Sequence, residues 1–209
     1  TEATASMRTG LSRFTFPKGQ GNILLNLGEG LTNETGATVR IVNETEIEGS
    51  KLLGTFCYNP QAVFPIYFVM KVSKAPKSMG YWKKQREMKG VEAEWDVYSG
   101  KYKLYTKYNR EMSGDDVGVW FTYDTEENEA IEVKMGVSFV SIENARLNMN
   151  TEQPGFDFDK VRTTASNMWN SDLSRVKVEG GSKDDKTIFY TALYHLLIHP
   201  NIIQDVNGE

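Results

Sequence analysis

Hydrophobic and polar positions divide the chain into a strand-rich front and a helical back. Residues 13–16 alternate and stop at the turn Pro17-Lys18-Gly19-Gln20-Gly21. Residues 22–27 read as a buried strand, followed by a loop holding Gly28 and Gly30. Residues 39–42 and 46–53, separated by Asn43-Glu44-Thr45, have the spacing of a hairpin. The run 64–72 is rich in aromatic and β-branched residues, as strands are. From 75 to 116 the pattern weakens, with Tyr102, Leu104 and Thr106 marking one more strand. Residues 117–123 and 130–140 are strands, the second placing Ile131, Val133, Met135, Val137 and Phe139 on a core-facing side.

After Ser141 the period lengthens from two residues to that of a helix. Residues 142–147 predict a short helix, broken by Pro154-Gly155. Asp157 opens a longer one with Val161, Ala165, Met168, Trp169, Leu173 and Val176 on one stripe. The rest of the chain leads up to a last helix whose apolar stripe is Ile188, Phe189, Ala192, Leu193, Leu196 and Leu197. Asp184 and Asp185 sit at its entry, where negative charge suits the free N–H groups of a first turn, and Pro200 ends it. Such a stripe needs partner helices, so this helix reads as the opening of a helical unit that continues past Glu209. The division expected is a β domain over 1–140, a helical linker over 141–182, and the first helix of an all-helical domain over 183–209.

Composition changes this picture little. The chain has 209 residues, 39% hydrophobic and 25% charged, as in an ordinary globular protein long enough to bury a substantial core. A net charge of −4 gives no overall basic field for a phosphate backbone, which argues against nucleic acid as a partner. The single cysteine, Cys57, excludes an intrachain disulfide and a multi-cysteine zinc site. No apolar run long enough to span a membrane is present. A signal peptide on the intact protein stays open, because the chain begins at Thr1 in mid-pattern.

Nucleophile-elbow, phosphate-loop, dinucleotide-fingerprint and His-Glu-x-x-His motifs are absent. His195 and His199 are four apart on the last helix, but no third metal ligand lies near them, so a structural role is expected. The pairs Asp115/Asp116, Asp157/Asp159 and Asp184/Asp185 read as turn or cap residues rather than as a catalytic acid and base. Asp205 and Asn207 lie in the turn Asp205-Val-Asn-Gly208, and on the residues alone Asp205 reads as a turn residue whose side chain satisfies local backbone donors. Trp82, Trp95, Tyr98 and Tyr102 have the flat rings that stack on pyranose faces, although packing is the commoner role; for Trp120 and Trp169 packing is expected. The triplets at Asn33 and Asn43 carry no weight, since such triplets arise often by chance.

Three stretches in order carry a family resemblance: Val137-Ser-Phe-Val-Ser141 with Glu143-Asn-Ala145 and Asn148; Phe156-Asp-Phe158 through Trp169-Asn170; and Phe189-Tyr-Thr-Ala-Leu-Tyr-His195 with Pro200 and Asp205-x-Asn207-Gly208. They resemble the family-92 glycoside hydrolases, bacterial exo-acting α-mannosidases. The resemblance implies a mainly β chain with C-terminal helices: a β-sandwich, a helical linker and the start of an (α/α)6 barrel. It also implies a parent enzyme, periplasmic, secreted or at the cell surface, that removes terminal α-linked mannose from glycans with inversion and the help of calcium. The loop corresponding to Asp205 and Asn207 would lie at the mouth of the sugar pocket, which makes these two the candidate sugar-binding residues, Asp205 accepting from sugar hydroxyls and Asn207 assisting. Part of the sandwich would precede Thr1, and the acid, the base and the calcium ligands would come from the barrel beyond Glu209, so the piece by itself would be inactive and bind no metal. Its partners would be mannose-containing glycans and the remainder of its own catalytic domain. The alternative reading is a non-catalytic sandwich that binds glycans or props a neighbouring domain.

Overall fold

Glycine and proline turns cut the first 138 residues into short alternating segments, and these pair as antiparallel strands. The computed structural model describes residues 1–28, 35–54, 63–84, 102–106, 108, 110–199 and 201–209. The strands are β1 (Glu2–Ala5), β2 (Thr9–Phe16), β3 (Gly19–Asn26), β4 (Thr35–Asn43), β5 (Glu46–Leu53), β6 (Phe64–Val72), β7 (Ser78–Lys84), β8 (Tyr102–Tyr105), β9 (Met112–Gly114), β10 (Val117–Thr125) and β11 (Glu129–Ser138). Three helices follow: α1 (Ile142–Glu152), α2 (Phe158–Leu173) and α3 (Lys183–Leu197). Cys57, Asn33, Trp95, Tyr98 and Pro200 lie outside the described residues.

Seven strands form one sheet in the order β1-β2-β11-β6-β5-β4-β9, and four form a second in the order β3-β10-β7-β8. The inner residues of β10, Val117, Val119, Phe121 and Tyr123, meet Val39, Ile47, Phe68, Met70, Ile131 and Val133 of the larger sheet in one core. This is a β-sandwich. Tyr81 of β7 joins the layers: its hydroxyl accepts the Ile41 N–H of β4 at 2.7 Å. The hairpin expected at residues 43–45 forms, with Asn43 Oδ1 accepting from the Thr45 N–H at 2.9 Å, which gives the Asn-Glu-Thr triplet a local turn role. Strand β7 emerges from the region where the apolar pattern is weak, because Gly80 stands on its outer side beneath the Trp120 indole.

The outer face of the larger sheet is not solvated. It carries α1 over β6 and β11, through Val69, Ala145 and Met149, and the start of α2, through Leu11, Phe158 and Val161. Gly136 of β11 makes the approach of α1 possible: a Cβ there would lie 2.5 Å from the Ala145 carbonyl oxygen and 2.6 Å from Met149 Cβ. The polar residues of that face find their partners in α1. Arg146 reaches both Glu46 and Glu48 of β5, and Lys71 adds a second cation to Glu46 at 3.0 Å. Buried Lys134 donates to the Gln153 carbonyl at 2.6 Å, serving the carbonyl end of α1, whose last turn has no basic residue of its own.

Two sequence expectations change. Phe139 is 39% exposed, because β11 ends at Ser138 and the ring leaves the core to meet Phe64. The apolar stripe of α2 is not buried along its length either: only the first turn reaches the sheet, and Trp169, packing as expected, does so on the Tyr194 ring of α3 at 4.7 Å. Adding a methyl group at the tightest point tests the seating of α1. Gly136→Ala is expected to lower unfolding free energy in urea titration by about 2–3 kcal/mol, the usual cost of overpacking against backbone.

Candidate functional site

Helix α1 starts at an N-cap, Ser141, whose side chain accepts the Asn144 N–H at 3.0 Å. This start sets the rotation of the helix so that Ala145 and Met149 face the sheet, and it places Asn144 and Asn148, one turn apart, side by side on a second buried flank. Ser138, the last residue of β11, lies beside them. Its Oγ accepts the Val140 N–H at 2.9 Å.

These three side chains converge on Asp205. Ser138 Oγ donates to Asp205 Oδ2 at 2.6 Å, Asn144 Nδ2 to the same oxygen at 2.9 Å, and Asn148 Nδ2 to Oδ1 at 2.6 Å. Asp205 is only 3% exposed. Burial works against its charge, but the bonds from Ser138, Asn148 and Asn144, and the charge of Arg8, outweigh that and hold its pKa below the ordinary 3.8. The carboxylate therefore stays ionised, with both oxygens engaged by protein donors.

A tight turn is built on this anchor. The Asp205 N–H donates to the Glu209 carbonyl at 2.8 Å, the Gly208 N–H returns to the Asp205 carbonyl at 3.0 Å, and Gly208 takes a φ of 93° that favours glycine. Asn148 also fixes the backbone, its Oδ1 accepting the Val206 N–H at 3.0 Å. Arg8 Nε donates to the Gln204 carbonyl at 2.6 Å while Arg8 Nη1 pairs with Glu152 of α1 at 2.8 Å. What the turn presents outward is Asn207 and Glu209, both exposed.

Of the two residues expected at a sugar, Asp205 is thus the buried anchor and Asn207 the exposed rim. Sequence reasoning missed Ser138, Asn144 and Asn148 as builders of this site. The available signal was a pair of asparagines, poor helix formers, four residues apart inside a short helix. The other candidates lie elsewhere. His195 and His199 are exposed, and among the described residues no group of three or more His, Cys, Asp or Glu is placed to hold a metal. Trp82 is buried, its indole N–H donating to the Leu25 carbonyl at 2.9 Å, which is a packing role. Asp157 caps α2, and Asp185 closes a capping box with Ser182 at the start of α3. A shallow hollow beside that start, lined by Ser182, Lys186 and Tyr190 among others, includes no residue of the 205–209 turn.

Comparison with known proteins adds family context. Residues 1–138 match the model of the glycosyl hydrolase family 92 N-terminal domain, and residues 144–209 that of the family 92 catalytic domain. The solved family GH92 α-mannosidase BT3965 of Bacteroides thetaiotaomicron is 26% identical over 98% of the chain, with a TM-score of 0.76, and has also been solved in complex with mannoimidazole. A second solved structure, the GH92 family glycosyl hydrolase ccman5, shares the fold with a TM-score of 0.78 at 22% identity over 99% of the chain. An uncharacterized secreted glycosidase of Arthroderma benhamiae is 34% identical over 83 residues, 38% of this chain. The chain spans 25–26% of the length of these solved relatives and 10% of the fungal one.

The anchor can be tested without any substrate. In Asp205→Ala, amide hydrogen exchange at Val206 and Gly208 is expected to accelerate about a hundredfold, the loss of one to two charge-assisted hydrogen bonds. In the wild-type chain the stabilisation by ionised Asp205 is complete above its unfolded value near 3.8 and is lost as the pH falls through the lower folded value. Protection at these amides should fall in that acid window, and Asp205→Asn should remove the step.

Proposed function

The chain belongs to glycosyl hydrolase family 92, and from that premise we propose that it is the front part of a secreted glycosidase that releases terminal α-linked mannose from glycans. The observation carrying this reading is its 26% identity to an α-mannosidase along 98% of its length, through the sandwich, the linking helices and α3 alike. Secretion is proposed from the printed description of the fungal relative. No helix among the described residues is long and apolar enough to cross a membrane.

In this reading the 205–209 turn contributes to the wall of the sugar pocket. Exposed Asn207 meets a sugar hydroxyl, and ionised Asp205 holds the turn to the sandwich. The hydrolysis proceeds with inversion, which requires an acid and a base separated by roughly 6.5–9.5 Å so that a water fits between them. Carboxylates that cap helices or sit in ion pairs do not suit that work, and Asp157, Asp159 and Asp185 are of this kind. As the family resemblance implies, the acid and the base come from the remainder of the catalytic domain. Calcium, which can orient sugar hydroxyls and stabilise developing charge, is in this reading held by that remainder as well.

The remainder of that domain also suits α3. Ile188 is 69% and Leu196 71% exposed, and α3 has no buried residue, a state that further helices would relieve. The test is mannose release from aryl α-mannosides by the full-length protein. Release is expected, with a loss of about tenfold or more on treatment with a calcium chelator, and no turnover by residues 1–209 alone. A full-length protein inert on every α-mannoside, yet retaining glycans on a column, would leave a non-catalytic glycan-binding module instead.

A further inference from the structure

Asn144 uses every hydrogen-bonding group of its side chain on the 205–209 turn. One amide hydrogen goes to Asp205 Oδ2 at 2.9 Å and the other to Glu209 Oε2 at 2.8 Å, while Oδ1 faces Asn207 Nδ2 at 3.5 Å. The two exposed side chains of the rim, Asn207 and Glu209, therefore meet at one residue of α1 and are held beside each other. Asn207 Oδ1 accepts the Glu209 N–H at 3.3 Å. Among the described residues that leaves one Asn207 amide hydrogen and Glu209 Oε1 without a protein partner, on two exposed side chains.

An amide donor next to a carboxylate acceptor complements a vicinal diol, one oxygen accepting from the amide while the neighbouring hydroxyl donates to the carboxylate. We propose that Glu209 and Asn207 together bind a vicinal diol of the terminal sugar and that Asn144 is the positioning residue that aligns them. This rests on the glycosidase reading above and adds to it a binding residue, Glu209, and a residue of the linking helix that acts through it. Asn148 serves the turn differently. It is fully buried and holds Val137, Asp205 and Val206, the anchor rather than the rim.

The experiment uses full-length protein and steady-state hydrolysis of an aryl α-mannoside by wild type, Asn144→Ala, Glu209→Gln and the double variant. Each single substitution is expected to raise KM about tenfold, the loss of one charge-assisted hydrogen bond, with kcat within about twofold. The double variant is expected to be no worse than the more affected single one, since one residue acts through the other. Active wild-type enzyme with an unchanged KM in Glu209→Gln overturns the proposal. So does a double variant whose KM rises by the product of the two single effects, because Asn144 then acts independently of Glu209. Should Asn144→Ala not fold, Glu209→Gln decides alone. An inert wild-type protein removes the glycosidase reading, and the diol site with it, and is recognised by the wild type itself.

Discussion

A sheet face that carries buried charges holds only if something satisfies them. The outer face of the larger sheet carries Glu46, Glu48, Lys134 and Ser138, all buried, and α1 with its flanking segments supplies their partners. Apolar contact alone would let α1 slide or rotate on Val69 and Gly136. The Arg146 bridges at its middle and the Lys134 bond at its carbonyl end fix its register. Removing Arg146 would leave Glu46 to Lys71 alone and Glu48 to Arg40 alone, each buried carboxylate losing one of its two cations.

Once α1 is fixed, it serves as a template for chain that arrives much later. Its sheet-facing flank is apolar, and its neighbouring flank bears Asn144 and Asn148, whose side chains match the turn at residues 205–209 group for group. The turn is thus referred to the sandwich through one helix, and Arg8, joining Glu152 to the Gln204 carbonyl, adds a second tie. A turn held this way inherits the rigidity of the sheet. In the function proposed above, this gives the sandwich a physical role, that of holding binding groups in place.

The other end of the helical segment behaves differently. Helix α2 touches the sheet through Phe158 and Val161, reinforced by the Arg13 guanidinium over the Phe158 ring at 4.3 Å, and then departs from it. Beyond that point α2 and α3 have chiefly each other: Trp169 packs on Tyr194, and the Tyr190 hydroxyl donates to the Val176 carbonyl at 3.1 Å. An apolar face left this open is the one that the proposed continuation of the catalytic domain would cover.

The sequence determined the parts whose physics is local. Period-two alternation located most strands. The change of period after Ser141, with Asp and Pro-Gly signals, located the helices, and the Asp-x-Asn-Gly turn stood out as a candidate. Glycine at position 80 hid β7, and the stripe of α2 did not reveal that only its first turn meets the sheet. Tertiary structure alone decided what anchors the turn. Ser138, Asn144 and Asn148 lie 57 to 67 residues from Asp205, so no spacing along the chain links them. They come together because the sheet must satisfy its buried charges, and α1, in doing so, turns its asparagines toward the place where the turn returns.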